Sequence, residues 1–149
     1  MPHLSSEDEA ALIRLATALV DQQKARVIIE PQQRASGFWF GGGNMVQAED
    51  GSLLVVGRYR NAGDSRTGTA AGERGLELAV FRASDAAGIF EKLLTFAKAD
   101  LAIGERGVLS IEGAALRLSA DGAAELFVST EKSGIAYPPG LEEFLKPGT

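Results

Sequence analysis

Two stretches of the chain are written on one plan: NMVQAEDGSLLVVGRYR at residues 44–60 and AALRLSADGAAELFVSTEK at residues 114–132. Each runs from an apolar segment through an acidic residue and a glycine into a second apolar segment, then leaves on polar residues. Asp-Gly between apolar runs is a strong hairpin signal, because tight turns need backbone conformations that glycine adopts freely. The turns at Asp50-Gly51 and Asp121-Gly122 lie roughly 70 residues apart. That spacing is longer than the commonest propeller repeats yet fits one four-stranded blade with long loops. A repeated antiparallel ribbon is therefore the architecture to expect.

The rest of the chain is read around these ribbons. Residues 5–23 carry an apolar face at helical spacing (Leu12, Ile13, Leu15, Ala16, Leu19, Val20), and Ser6 with Glu9 reads as a capping box. This predicts one N-terminal helix, acting as a packing or capping element. Residues 26–30 (RVIIE), 37–40 (GFWF), 45–48, 52–60, 75–82 (GLELAVFR), 114–118 and 126–130 read as β segments. Glycine, serine, aspartate and asparagine punctuate the breaks.

Composition removes several classes of function. The net charge of −5 leaves no basic stripe to displace counterions from phosphates, so nucleic acid is not an expected partner. The chain has no cysteine and one histidine, His3, which argues against disulfides, thiol chemistry, a Ser-His-Asp triad and His/Cys metal centres. No cofactor or metal is expected. The acidic start of the chain is unlike a secretory leader, and no apolar run reaches membrane-spanning length, so a cytoplasmic location without membrane contact is the expectation. Gly41-Gly42-Gly43 is followed by a strand pattern and lacks a Lys-Ser/Thr, which separates it from phosphate-binding loops.

The first hairpin, the GLELAVFR strand and residues 82–90 (RASDAAGIF) together resemble the opening blades of propeller-fold glycoside hydrolases, namely the sialidase-like enzymes and their five-bladed relatives. Within residues 82–90, Ser84-Asp85-Ala86-Ala87-Gly88-Ile89-Phe90 resembles a degenerate Asp-box, with Asp85 as the turn aspartate and Phe90 at the aromatic position. The resemblance implies a mainly β fold of antiparallel meander blades with one helix. It divides the chain into a helix at residues 1–24 and about two blades of a partial propeller at residues 25–149. It also implies that the chain is a piece of a longer, exo-acting enzyme. Two blades leave strand edges and apolar faces uncovered, which favours self-association.

Tracing each blade as a meander places Asn44, Arg58, Arg60, Glu112 and Glu131 on one rim, where such enzymes bind substrate. Side chains two apart on a strand share a face, so Arg58 and Arg60 point together and Tyr59 points away. Arginine forks suit carboxylates and vicinal diols, so Arg58, Arg60 and Arg66, with Asn44, are the candidate substrate-binding residues, and their number favours an acidic sugar. Glycoside hydrolysis generally needs two carboxyl groups. Glu112, set beside an apolar run, is the candidate acid. Asp64, among arginines, is the second carboxylate and suits a base or orienting role. For each of these residues the plainer reading is a solvated or locally paired side chain. Residues 38–40 (FWF) either stack on a sugar or pack between helix and sheet. The rival function from another class is a non-catalytic carbohydrate- or protein-binding β module.

Overall fold

Both acidic-glycine turns fold in the same way, bond for bond. In the first, the Ala48 N–H donates to the Ser52 carbonyl at 2.8 Å and the Gly51 N–H donates to the Ala48 carbonyl at 2.9 Å. In the second, the Ser119 N–H donates to the Ala123 carbonyl at 2.9 Å and the Gly122 N–H donates to the Ser119 carbonyl at 3.0 Å. Gly51 and Gly122 sit at φ of 84° and 80°, and no other residue type has positive φ among the described residues. Asp50 and Asp121 therefore keep negative φ. The connection is a three-residue loop, residues 49–51 in one ribbon and 120–122 in the other, closed by a left-handed glycine. Each aspartate also accepts from the backbone two residues on, Ser52 N–H at 2.9 Å and Ala123 N–H at 3.2 Å. The repeat read from the sequence is thus repeated in the backbone.

The structure is a computed structural model that describes residues 4–61, 75–134, 136 and 138–141. It contains one helix, α1 (Ser6–Leu19), and seven strands: β1 (Trp39–Gly41), β2 (Met45–Gln47), β3 (Leu53–Arg60), β4 (Glu77–Ala83), β5 (Glu91–Ala97), β6 (Val108–Leu118) and β7 (Ala124–Lys132). A short 3-10 turn, Lys98–Leu101, links β5 to β6. β1 and β2 both pair with β3, as two halves of one broken edge, and the sheet continues through β4 to β5. β6 and β7 form a separate antiparallel ribbon.

The edge breaks at Gly42-Gly43-Asn44 because β3 comes too close there. A Cβ on Gly43 would overlap the Val56 carbonyl. The Val56 N–H turns to the Asn44 carbonyl at 3.0 Å, which bridges the gap. The glycines serve this approach of the chain to itself.

Strand alternation sorts the core. Val56, Leu78 and Val80 face the second ribbon and pack with Ile111 and Leu116 of β6. Leu78 and Ile111 are fully buried. Tyr59, Ala79 and Phe81 face the other way and collect Phe40, Phe90 and Ile29. Phe40 lies 4.9 Å from Tyr59 and 5.3 Å from Phe81 between ring centroids, both non-parallel contacts of the favoured kind. Gly57 makes room for this, since a side chain there would strike the Phe40 ring.

Several expectations are corrected. The helix starts one residue earlier than the Ser6–Glu9 box suggests. Ser5 is the cap, its Oγ accepting from the Asp8 N–H at 3.1 Å and donating to Asp8 Oδ2 at 2.6 Å. It ends at Leu19 rather than residue 23, because Asp21 Oδ1 takes the Gln23 N–H at 3.1 Å and diverts the backbone into a turn. No residue of α1 is buried, so the helix is not a packing element among the described residues. Residues 26–30 are not a strand. They bend at Ile28 and Ile29, with Arg26 donating to the Ala86 and Ala87 carbonyls and Ile29 covering the Tyr59 cluster. β5 is a strand that the sequence reading left out, and β6 runs through Glu112-Gly113 unbroken, absorbing register shifts on either side of Ser110 and Ile111.

Candidate functional site

The second ribbon meets the first sheet along β6, and main-chain bonds fix the meeting. The Ala114 N–H donates to the Gly42 carbonyl at 2.9 Å, and the Ile111 N–H donates to the Gly75 carbonyl at 3.1 Å. Gly75 has φ of 52°, and a Cβ on it would overlap the Ile111 backbone. Asn44 adds a two-pronged clip: its side-chain amide donates to the Leu116 carbonyl at 2.9 Å, while its Oδ1 accepts from the Leu116 N–H at 2.7 Å. These three contacts place both acidic-glycine turns at one end, where they line a shared cleft of about 580 Å³. The exits of β3 and the start of β6 lie at the other.

At that other end Arg58 crosses from β3 to β6. Its Nε donates to the Glu112 carbonyl, and a terminal nitrogen stands 3.6 Å from Glu112 Oε2. The guanidinium also lies 4.8 Å above the Trp39 ring, within cation–π range. The Arg58 side chain is 12% exposed and that of Glu112 40%. Trp39 and Gly41 share a face with Arg58 and Arg60 because each pairs directly with one of them, Trp39 with Arg60 and Gly41 with Arg58. Gly41 has no side chain to stand in the way, so Trp39 folds across it toward Arg58; a Cβ there would be 3.3 Å from the ring.

Of the residues expected at one rim, the structure brings Arg58 and Glu112 into contact. Arg60 follows Arg58 on the same face with Tyr59 turned away, Glu131 is on β7 opposite Ser110, and Asn44 lies further along β6 at Leu116. Asn44 is engaged with main chain. Asp64 and Arg66, with Glu73 and Arg74, lie outside the described residues. The aromatic triplet divides its tasks. Phe40 packs in the core against other strands, not against the helix, while Trp39 stays 36% exposed beside Arg58. Strand alternation was the signal that separates the two. Ser110, which sequence reasoning passed over, is buried with its Oγ lacking a hydrogen-bond partner.

The perturbed acids are at the opposite end. The Ser52 hydroxyl and N–H, with Arg82 2.7 Å away, hold the Asp50 carboxyl below its ordinary range. The Ser119 hydroxyl and the Ala123 N–H do the same for Asp121. These bonds build turns. Among the described residues no three His, Cys, Asp or Glu side chains are grouped to hold a metal. No helix among them is long and apolar enough to cross a membrane.

The fold and this site define a mainly β protein of antiparallel sheets with one helix, carrying an arginine–carboxylate–tryptophan cluster where two sheets meet. No protein-family model, curated protein or solved structure matches the chain.

Proposed function

We propose that the chain is a blade and a half of a β-propeller and supplies part of the sugar-binding rim of an exo-acting glycoside hydrolase. The observation that carries the reading is the meeting of Arg58, Glu112 and Trp39 where the second ribbon packs on the first sheet. An aromatic face for sugar C–H groups, a carboxylate to accept hydroxyls and a guanidinium to orient it are the groups from which carbohydrate sites are made.

The blade reading has its own support. β1/β2, β3, β4 and β5 form a four-position antiparallel meander, the shape of a blade. β6 and β7 repeat its first hairpin and pack face to face on it. The Asp-box resemblance draws support from Asp85, which lies in the turn between β4 and β5 and accepts from the Ala87 and Gly88 N–H groups at 2.7 and 2.9 Å. Phe90 packs behind it. A closed ring takes at least about four blades, so the remaining ones would complete the rim. β1 with β2, β5, β6 and β7 each have one strand partner among the described residues, which leaves strand edges for further strands or another copy.

A second reading, a carbohydrate-binding module without hydrolysis, is favoured by one feature: Glu112 faces an arginine and suits an acceptor of sugar hydroxyls. The test serves both. Isotope-labelled protein is titrated with monosaccharides, and shifts should cluster at the Trp39 indole, the Arg58 Nε–H and Glu112. Shifts confined to other faces, or none with any sugar, would refute the site. Release of nitrophenol from aryl glycosides, abolished by Glu112→Gln, separates the enzyme from the module.

A further inference from the structure

We infer that the sugar held at this rim is uncharged, with Arg58 as a positioning residue for Glu112 and not the ligand of a sugar carboxylate. The inference rests on the carbohydrate reading above and narrows it. It reverses the expectation, drawn from the number of arginines, of an acidic sugar.

Arg58 is held on three sides. Its Nε is tied to the Glu112 main chain, its terminal nitrogen faces the Glu112 carboxylate at 3.6 Å, and its plane lies 4.8 Å over Trp39. With 12% of the side chain exposed against 40% for Glu112, the group that solvent meets first is the carboxylate. An incoming sugar carboxylate must share that arginine with Glu112 at contact distance. Two like charges that close repel strongly beside a low-dielectric aromatic surface. A ring bearing only hydroxyls meets no such barrier. Its hydroxyls donate to Glu112, which Arg58 aims, and its C–H face rests on the exposed part of Trp39. Arg60 stands on the same face one pair further along, and the same experiment weighs its contribution.

Trp39 is the chain's single tryptophan, so its fluorescence reports this spot alone. The probes are pairs that differ only at C6: methyl glucoside against methyl glucuronide, and methyl galactoside against methyl galacturonide. The expected result is quenching by at least one neutral member, with its acidic counterpart weaker by about tenfold, a difference of ~1.4 kcal/mol. In Glu112→Gln the gap should shrink to about threefold or less, mainly because the acidic sugar gains, as the removed charge was its obstacle. A merely structural Glu112 would weaken both sugars equally, and that outcome overturns the inference. So does an acidic sugar that binds the unaltered protein as well as its neutral partner, although the carbohydrate reading then survives. Failure of every sugar to perturb Trp39, by fluorescence or by the indole resonance, overturns both.

Discussion

Replacing Asn44 by alanine removes a side chain that holds both main-chain groups of one β6 residue. Leu116 is buried, and its N–H and carbonyl both point at Asn44. Asn44→Ala therefore breaks two hydrogen bonds and leaves a buried donor and a buried acceptor without partners. An unsatisfied buried group costs about 1–3 kcal/mol, and some water will reach the acceptor, so a loss of ~2–4 kcal/mol is expected. The neighbouring Ala114–Gly42 bond is untouched, so the ribbon should stay docked. In urea, with a slope of about 2 kcal/mol/M for a chain of this size, the midpoint should fall by roughly 1–2 M at unchanged slope. Asn44→Asp is the sharper partner. It keeps the acceptor but sets a carboxylate oxygen against the Leu116 carbonyl, and it should be destabilised at least as much. A midpoint within about 0.2 M of the parent for both variants would mean that the clip is not made, since even one lost bond costs more than that.

Three other outcomes are expected. Gly43→Ala should cost ~2 kcal/mol or more by the same urea assay, because the new methyl meets the Val56 carbonyl, which is main chain and cannot move aside cheaply; a neutral result would put β2 further from β3. The carboxyls of Asp50 and Asp121 should titrate below 3.8 by carbon NMR. Their folded values are depressed, so the stabilisation they give is in place above 3.8 and is lost as pH falls through the lower folded value, and replacing both by alanine should flatten the acid limb of stability. Tyr59 goes the other way: burial pushes its hydroxyl above 10.0, Lys92 opposes and Glu77 assists. Its contribution is present below 10.0 and is lost as pH rises toward the folded value; with Tyr137→Phe leaving Tyr59 as the sole tyrosine, an ultraviolet titration midpoint under 10.0 would show that Lys92 dominates.

What the sequence disclosed, and what it hid, follows from the range of the forces involved. The two acidic-glycine ribbons were legible because turn chemistry is local: one aspartate and one glycine set each reversal. The alternation that sends Arg58 one way and Tyr59 the other was legible for the same reason. β5 was hidden because Leu93 and Leu94 sit side by side and both stay exposed, so residues 91–97 show no alternating burial to read. Residues 26–30 misled because RVIIE has β-like composition, but the chain bends at Ile28 and Ile29 and the fold uses Ile29 as a cover for Tyr59 and Phe81. The helix was legible in its existence and not in its role, since periodicity gives an apolar face without saying whether anything meets it. At the site, Arg58 and Glu112 meet as tracing the hairpins suggests, whereas Asn44 lies further along β6 at Leu116. The commitment of Asn44 to Leu116 and of Arg58 to Glu112 was hidden, because both partners are main-chain atoms, and a sequence does not mark which carbonyls a neighbouring sheet will need.

All of this depends on β6 lying against the broken edge of the first sheet. Scalar coupling across hydrogen bonds reads that contact directly in isotope-labelled protein. The account predicts coupling between the Ala114 amide nitrogen and the Gly42 carbonyl carbon, with slow exchange of the Ala114 amide proton. Coupling of that amide to a different carbonyl, or exchange at the rate of an open chain, would contradict it.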